Sequence, residues 1–222
     1  MESQCLRKKI ELVLPALEAA DRRLRTHPRV ADLYPEYLVT AHGIIRASVP
    51  LMEAASERAT ALCERDAVAD LLAPYLEKHI PEEQGHDEWL LEDLEALGID
   101  RSEVLTRPPS PAVAALVGAQ YYWILHYHPV ALLGYIALLE GYPPHRHEIE
   151  YLMARTGSSP RAFRTLLAHA DLDPHHRDEL NDMLNALPLT AEQRSVLGLS
   201  AMNSVRLLAR CIEEVIERDV AP

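Results

Sequence analysis

Residues 79–98 read HIPEEQGHDEWLLEDLEALG. Five groups able to hold a metal ion, His79, Glu82, Glu83, His86 and Asp87, crowd its first half, and Trp89, Leu90, Leu91, Leu94 and Leu97 follow at helical spacing. Glu83 and His86 form an E-x2-H pair. That spacing brings a carboxylate and an imidazole to one face of a helix, and helical bundles build dinuclear carboxylate sites from it. Glu82 competes with Glu83, because it stands four residues before His86. His79 stands seven before His86, but Pro81 intervenes, which makes it a supporting or structural residue. The acids also suit the first turn of any helix, where the macrodipole favours negative charge. The stretch is therefore half of a metal site only if the chain supplies the other half.

LLAHADLDPHHRDEL, residues 166–180, supplies a candidate. His169, Asp173 and His176 form H-x3-D-x2-H, and steps of four and three share a helical face. His175 competes with His176 but breaks that register. Mixed nitrogen and oxygen donors suit iron, manganese or zinc. Asp173-Pro174 also reads as an N-cap followed by a first-turn proline, and a proline inside a helix spanning His169 to His176 would break it. A third carboxylate comes from Glu140, the only acid from residue 112 to 147. A lone carboxylate on a buried helix must be paired, protonated or metal-bound. Arg46 and His42 are its candidate partners if it is a plain buried acid.

These residues need helices to carry them, and nearly every segment has a helical period. Leu6, Ile10, Leu12, Val13, Leu17 and Ala20 make one stripe near the start. A second helix begins near Asp32 and kinks at Pro50. Helices at 64–78 and 82–97 follow, the latter closed by Gly98. Ser110-Pro111 is a cap and first-turn proline that opens a stretch apolar nearly all round, through residue 141, which belongs at the centre and bends at Pro129. Ser159-Pro160 opens a helix ending near His169–Leu172. Thr190 with Gln193 is a capping box for the last helix, striped by Leu197, Val205, Leu208, Ile212 and Ile216. The expectation is one all-α domain over 1–222, with about seven to nine helices and no strand.

Bulk composition agrees. Of 222 residues 48% are apolar, with one Phe and eight Gly, which favours folded helix over strand or disorder. The charge is 22 − 34 = −12. Such a surface repels phosphate backbones and anionic lipid, so neither nucleic acid nor a membrane is an expected partner. Cys5, Cys63 and Cys211 stand alone, which argues against a disulfide framework and for a reducing cytoplasm. No apolar run reaches the roughly 20 residues of a membrane span, and none resembles a secretion leader. No phosphate-binding Gly-rich loop or G-x-S-x-G elbow occurs, which leaves hydrolase chemistry without support.

Glu83 and His86, then Glu140, then His169-Asp173-His176, together with the text around them (QYYWILHYHPVALLGYIALLEG, HGIIRASVPLMEAA), resemble the haem-oxygenase-like diiron oxidases. These are metal-using relatives of the thiaminase-like and pyrroloquinoline-quinone-synthase-like bundles. The resemblance spans about residues 35–200. It implies a haem-oxygenase-like bundle with those six residues as ligands. One iron would take Glu83, His86 and a bridging Glu140, and the other the second triad with Glu140 shared. It further implies two irons cycling between Fe2+ and Fe3+, O2 as co-substrate, and a small, amino-acid-like substrate undergoing N-oxygenation, desaturation or oxidative C–C cleavage. An external reductant and a homodimer are compatible with it. His42, Arg46, Tyr122 and His126 are the expected substrate contacts. The metal-independent chemistry of the related bundles, or a non-catalytic binding role, is the alternative.

Overall fold

In the computed structural model, which describes residues 1–218, the helical periodicity resolves into eleven α-helices and no strand among the described residues. They are α1 (Glu2–Thr26), α2 (Val30–Ile45), α3 (Ser48–Thr60), α4 (Ala67–Glu83), α5 (His86–Glu95), α6 (Arg101–Thr106), α7 (Pro111–His126), α8 (Leu132–Leu139), α9 (Arg146–Thr156), α10 (Arg164–Ala186) and α11 (Ala191–Glu217). Short 3-10 turns at Pro129–Ala131 and Pro160–Phe163 precede α8 and α10.

The number exceeds the expected seven to nine because several predicted single helices are jointed. The helix expected to kink at Pro50 ends at Ile45 and restarts at Ser48. Pro50 then falls in the first turn of α3, where its missing N–H has no intrahelical partner to lose. The central apolar stretch breaks at Tyr127–His128. His128 caps the following 3-10 turn, its Nδ1 accepting from Val130 N at 3.1 Å. Ser110 caps α7 through Val113 N, and the Thr190–Gln193 capping box opens α11. Gly98 takes φ +82 just beyond α5, a left-handed conformation that suits glycine.

Pro174 lies outside the described side chains. The expected helix boundary there does not occur, because α10 runs from Arg164 to Ala186. Asp173 therefore has no new helix to cap and stands within one.

The long α1 and α11 pack on each other, and α11 also receives α7 and α8. Residues Leu132–Leu138 of α8 are all buried. Gly134 permits this: a Cβ there would lie 2.5 Å from Leu197 O and 2.8 Å from Ala201 N on α11. On the other flank α3 packs on α4, and α5 sits between α2 and the start of α10. No described helix is long and apolar enough to cross a membrane.

Candidate metal centre

Four helices point acids and imidazoles at one region of the interior. On α4, Leu72, Leu76 and His79 are buried in steps of four and three, and Glu83 continues that stripe as the last helical residue. The chain then breaks at Gln84–Gly85, with Gly85 at φ +88, and His86 opens α5. Glu140 ends α8, its N–H bonded to Ile136 O at 3.0 Å. On α10, Thr165, Asp173, His176, Leu180 and Leu184 are buried along one face, with His169 in register and half-buried.

Two groups of potential ligand atoms result, each with its atoms within 4.8 Å of one another. One contains His79, Glu83, Glu140 and His176; the other contains Glu83, His86 and His169. Glu83 is common to both. Its Oε2 lies 3.1 Å from His86 Nδ1 and its Oε1 3.5 Å from His176 Nδ1. The expected sharing through Glu140 is thus not the one that the geometry displays. Glu140 Oε1 instead meets His79 Nε2 at 2.8 Å, and not Arg46 or His42. His79 Nδ1 meets Glu82 Oε2 at 3.0 Å. That separates the two rival glutamates: Glu83 belongs to the cluster, while Glu82 backs His79.

His79 belongs to the cluster, against the expectation that Pro81 would leave it a supporting or structural residue. Pro81 sits inside the last turn of α4 rather than ending the helix. The carbonyl its ring leaves unpaired belongs to Glu77, an exposed position where water can take its place. The H-x3-E step from His79 to Glu83 carried the signal. The E-x2-H pair has a different basis from the one expected, since Glu83 and His86 meet across a joint between two helices rather than along one.

Asp173 belongs to neither group of close atoms, yet its carboxylate is buried beside them with Oδ1 unpartnered. Burial, with the charges of Glu140 and Glu83, pushes its pKa up to about 8. Tyr122 and His126 stand on an exposed face of α7, their rings 5.0 Å apart. The helix's apolar composition concealed which face turns outward. His42 is buried with Nε2 unpartnered, and Arg46 is exposed one turn later.

The electrostatics of the cluster are those of excess buried negative charge. Burial raises Glu140 despite its bond to His79. Burial alone would lower His79, but the hydrogen bond and charge of Glu140, with Glu82 and Glu83 behind, raise it to about 9. Burial also raises Glu83, which the His86 hydrogen bond and the charges of His86, His79 and His169 outweigh, leaving it lowered. Burial holds His169 and His176 below the ordinary histidine value, which favours the neutral imidazole a metal binds. Glu140 Oε2, Asp173 Oδ1 and His176 Nδ1 are buried without a hydrogen-bond partner. Each such group costs about 1–3 kcal/mol if left so. Among the described residues no lysine or arginine pairs with Glu83, Glu140 or Asp173. A cation of iron's donor preference fits this arrangement.

His169 adds an independent sign. Its Nδ1 donates to Thr165 O at 2.8 Å, leaving Nε2 for a ligand. Metal-binding histidines characteristically anchor their second ring nitrogen in this way.

Comparison with known proteins agrees with this chemistry. A family model described as iron-containing redox enzyme matches residues 54–208. No curated protein matches the chain. A domain of unknown function with a haem-oxygenase-like fold from Shewanella denitrificans superposes with a TM-score of 0.83 at 20% identity, covering 98% of this chain and 93% of its own. A CADD-like protein of unknown function from Nostoc punctiforme gives 0.72 at 16% identity, with both chains covered in full. A TenA homologue from Pseudomonas syringae pv. tomato gives 0.71 at 14%, covering 96% of this chain and 92% of its own. With a haem-oxygenase-like bundle around a buried His/Glu cluster, the chain belongs to the iron-containing redox enzyme family.

Proposed function

We propose that the protein is a non-haem diiron enzyme that uses O2 to oxidise a small, amino-acid-like substrate. The observation that carries this reading is Glu83, one half-buried carboxylate common to two groups of potential metal-binding side chains. His79, Glu140 and His176 would complete one ion's ligands, His86 and His169 the other's. Asp173, buried next to both with a free oxygen, is available to either ion. Bound iron(II) supplies the electrons by which dioxygen is reduced as the substrate is oxidised.

The chain's own groups hold and neutralise. Glu82 Oε2 accepts a hydrogen bond from His79 Nδ1–H and so orients its Nε2 toward Glu140. Thr165 O does the same for His169. Asp173 and His79 would have to lose their protons to act as ligands, because ligands must be deprotonated. Leu76 on α4 and Leu90 on α5, each fully buried about one turn from His79 and His86, would keep those surroundings apolar. His42, in the last turn of α2, and Arg46, which follows that helix, would be the residues available to an anionic substrate group. A small-molecule substrate, an external reductant and a homodimeric assembly in the cytoplasm belong to this proposal.

The test is anaerobic loading with iron(II), a count of iron per chain, and exposure to oxygen. Two irons per chain and oxygen consumption on exposure are expected. A His169→Ala, His176→Ala double variant that still holds two irons would overturn the assignment. A second reading has one specific support: His79, raised to about 9 and bonded to Glu140, forms an acid–base pair without any metal. Wild-type protein that takes up no iron, yet loses activity in His79→Gln, would favour it.

A further inference from the structure

Two buried groups away from the proposed ligands have no explanation in the chemistry above: Asp93 and Thr165. Asp93 is 0% exposed and Thr165 1%. A fully buried acid is expensive unless its oxygens are satisfied. Asp93 Oδ2 accepts from the backbone N–H of Thr165 at 2.9 Å.

The location of that bond matters. The first N–H groups of a helix have no intrahelical acceptor and are normally capped by a Ser, Thr, Asp or Asn just before the helix. At the start of α10 the cap position is Phe163, which has no side-chain acceptor. Asp93, two turns after His86 on α5, takes over the role from another helix. That carboxylate oxygen also faces the positive end of the helix dipole. The carbonyl of the same Thr165 then accepts from His169 Nδ1 at 2.8 Å. A carbonyl can only accept, so this bond places the proton on Nδ1 and leaves Nε2 with its lone pair. α5 grips the start of α10 at one further place. Arg164 lies over the Trp89 ring at 5.3 Å and pairs with Glu92, and Trp89 packs on His86 with centroids 4.2 Å apart.

We propose that Asp93 is a positioning residue of the metal centre: by capping α10 at Thr165 it fixes the carbonyl that sets the tautomer and aim of His169. α5 thereby contributes to one half-site twice, directly through His86 and indirectly through His169. The metal-binding consequence rests on the diiron reading, whereas the tautomer consequence holds in the metal-free protein.

The experiment compares Asp93→Asn, whose amide oxygen still reaches the Thr165 N–H, with Asp93→Ser, whose hydroxyl is too short. Both are small and polar, and thermal melting checks that each is folded. Histidine-ring 1H–15N correlation spectra of the metal-free proteins report the His169 tautomer. Anaerobic cobalt(II) titration reports the two binding steps. The expected result is an Nδ1–H His169 in wild type and Asp93→Asn, and mixed tautomers in Asp93→Ser. Asp93→Ser should weaken one cobalt step by about 10–100-fold, the range usual for loss of a ligand's supporting hydrogen bond, and leave the other within about twofold. The proposal is overturned if Asp93→Ser keeps the Nδ1–H tautomer, if Asp93→Asn is damaged as much as Asp93→Ser, or if both cobalt steps fall together. Wild-type protein that binds no metal defeats the diiron reading instead, and the tautomer comparison still decides the role of Asp93.

Discussion

His79 Nε2 stands 2.8 Å from Glu140 Oε1, joining the last turn of α4 to the end of α8 across 61 residues of sequence. Without a metal this contact is a hydrogen bond that, with the charge of Glu140, raises His79 to about 9 against its burial. With a metal bound as proposed, both residues would serve as ligands of one ion. Replacing His79 by alanine should therefore abolish one of the two binding steps, or weaken it at least about tenfold, and leave the step at His86 and His169 nearly intact. Cobalt(II) titration read by visible absorption checks this. Two unaltered steps in His79→Ala would return His79 to a purely structural part.

Glu83 predicts the contrasting pattern. Its two oxygens face His86 and His176 separately. Glu83→Gln should therefore weaken both steps, each by at least about tenfold, where His79→Ala and His86→Ala each weaken one. Parallel isothermal titrations of the three variants make the comparison.

Gly134 tests the packing that sets Glu140 in place. A methyl group there meets two backbone atoms of α11, which cannot swing aside as a side chain would. Gly134→Ala should cost about 1–3 kcal/mol in urea denaturation. It should also weaken the step that uses Glu140, since α8 must move to accept it. An unchanged urea midpoint would show that α8 and α11 are less tightly apposed than described.

Far from the centre, His128 gives the metal-free protein a pH dependence. Its Nε2 donates to Asp66 Oδ2 at 3.1 Å, its Nδ1 accepts from Val130 N, and Gln193 joins the same carboxylate at 2.9 Å. Both ring nitrogens suit the neutral form. Burial, reinforced by Arg58 and opposed by Asp66, holds His128 below its ordinary 6.5. The unfolded chain therefore binds the proton first as pH falls. Its contribution is fully present above 6.5, declines between 6.5 and the depressed folded value, and is constant below that. Urea midpoints at pH 8 and pH 5.5 should differ less in His128→Gln than in wild type.

The fold was legible because apolar spacing and caps speak locally. Ser110-Pro111 and Thr190 with Gln193 opened helices where predicted, and Gly98 ended one. Jointing was harder to foresee, since a proline states only that some hydrogen bond is lost. Pro50 lies in a first turn, Pro81 in a last turn that continues regardless, and both outcomes depend on what surrounds them. Within the candidate site, residue types at helical spacing brought Glu83, His86, His169 and His176 forward. Their partition was hidden, because it depends on the angle between α4 and α5 at Gly85 and on how far Glu140 reaches, neither of which is a periodic property. The exposure of Tyr122 and His126 was hidden for a related reason: a helix apolar all round does not announce its outer face.

The clustered donors come from α4, α5, α8 and α10, separated by up to 97 residues between His79 and His176. No local fragment of an unfolded chain can gather them all, so an ion held by the full set would favour the native state. Free ligand at 100 times its dissociation constant would then deepen the native well by about 2.7 kcal/mol per ion. Chelation should lower the melting temperature, and metal should restore it in proportion to the logarithm of its concentration. The same interior that would perform the oxidation would thus also serve as a thermodynamic clasp, tying the lifetime of the folded enzyme to the supply of its metal.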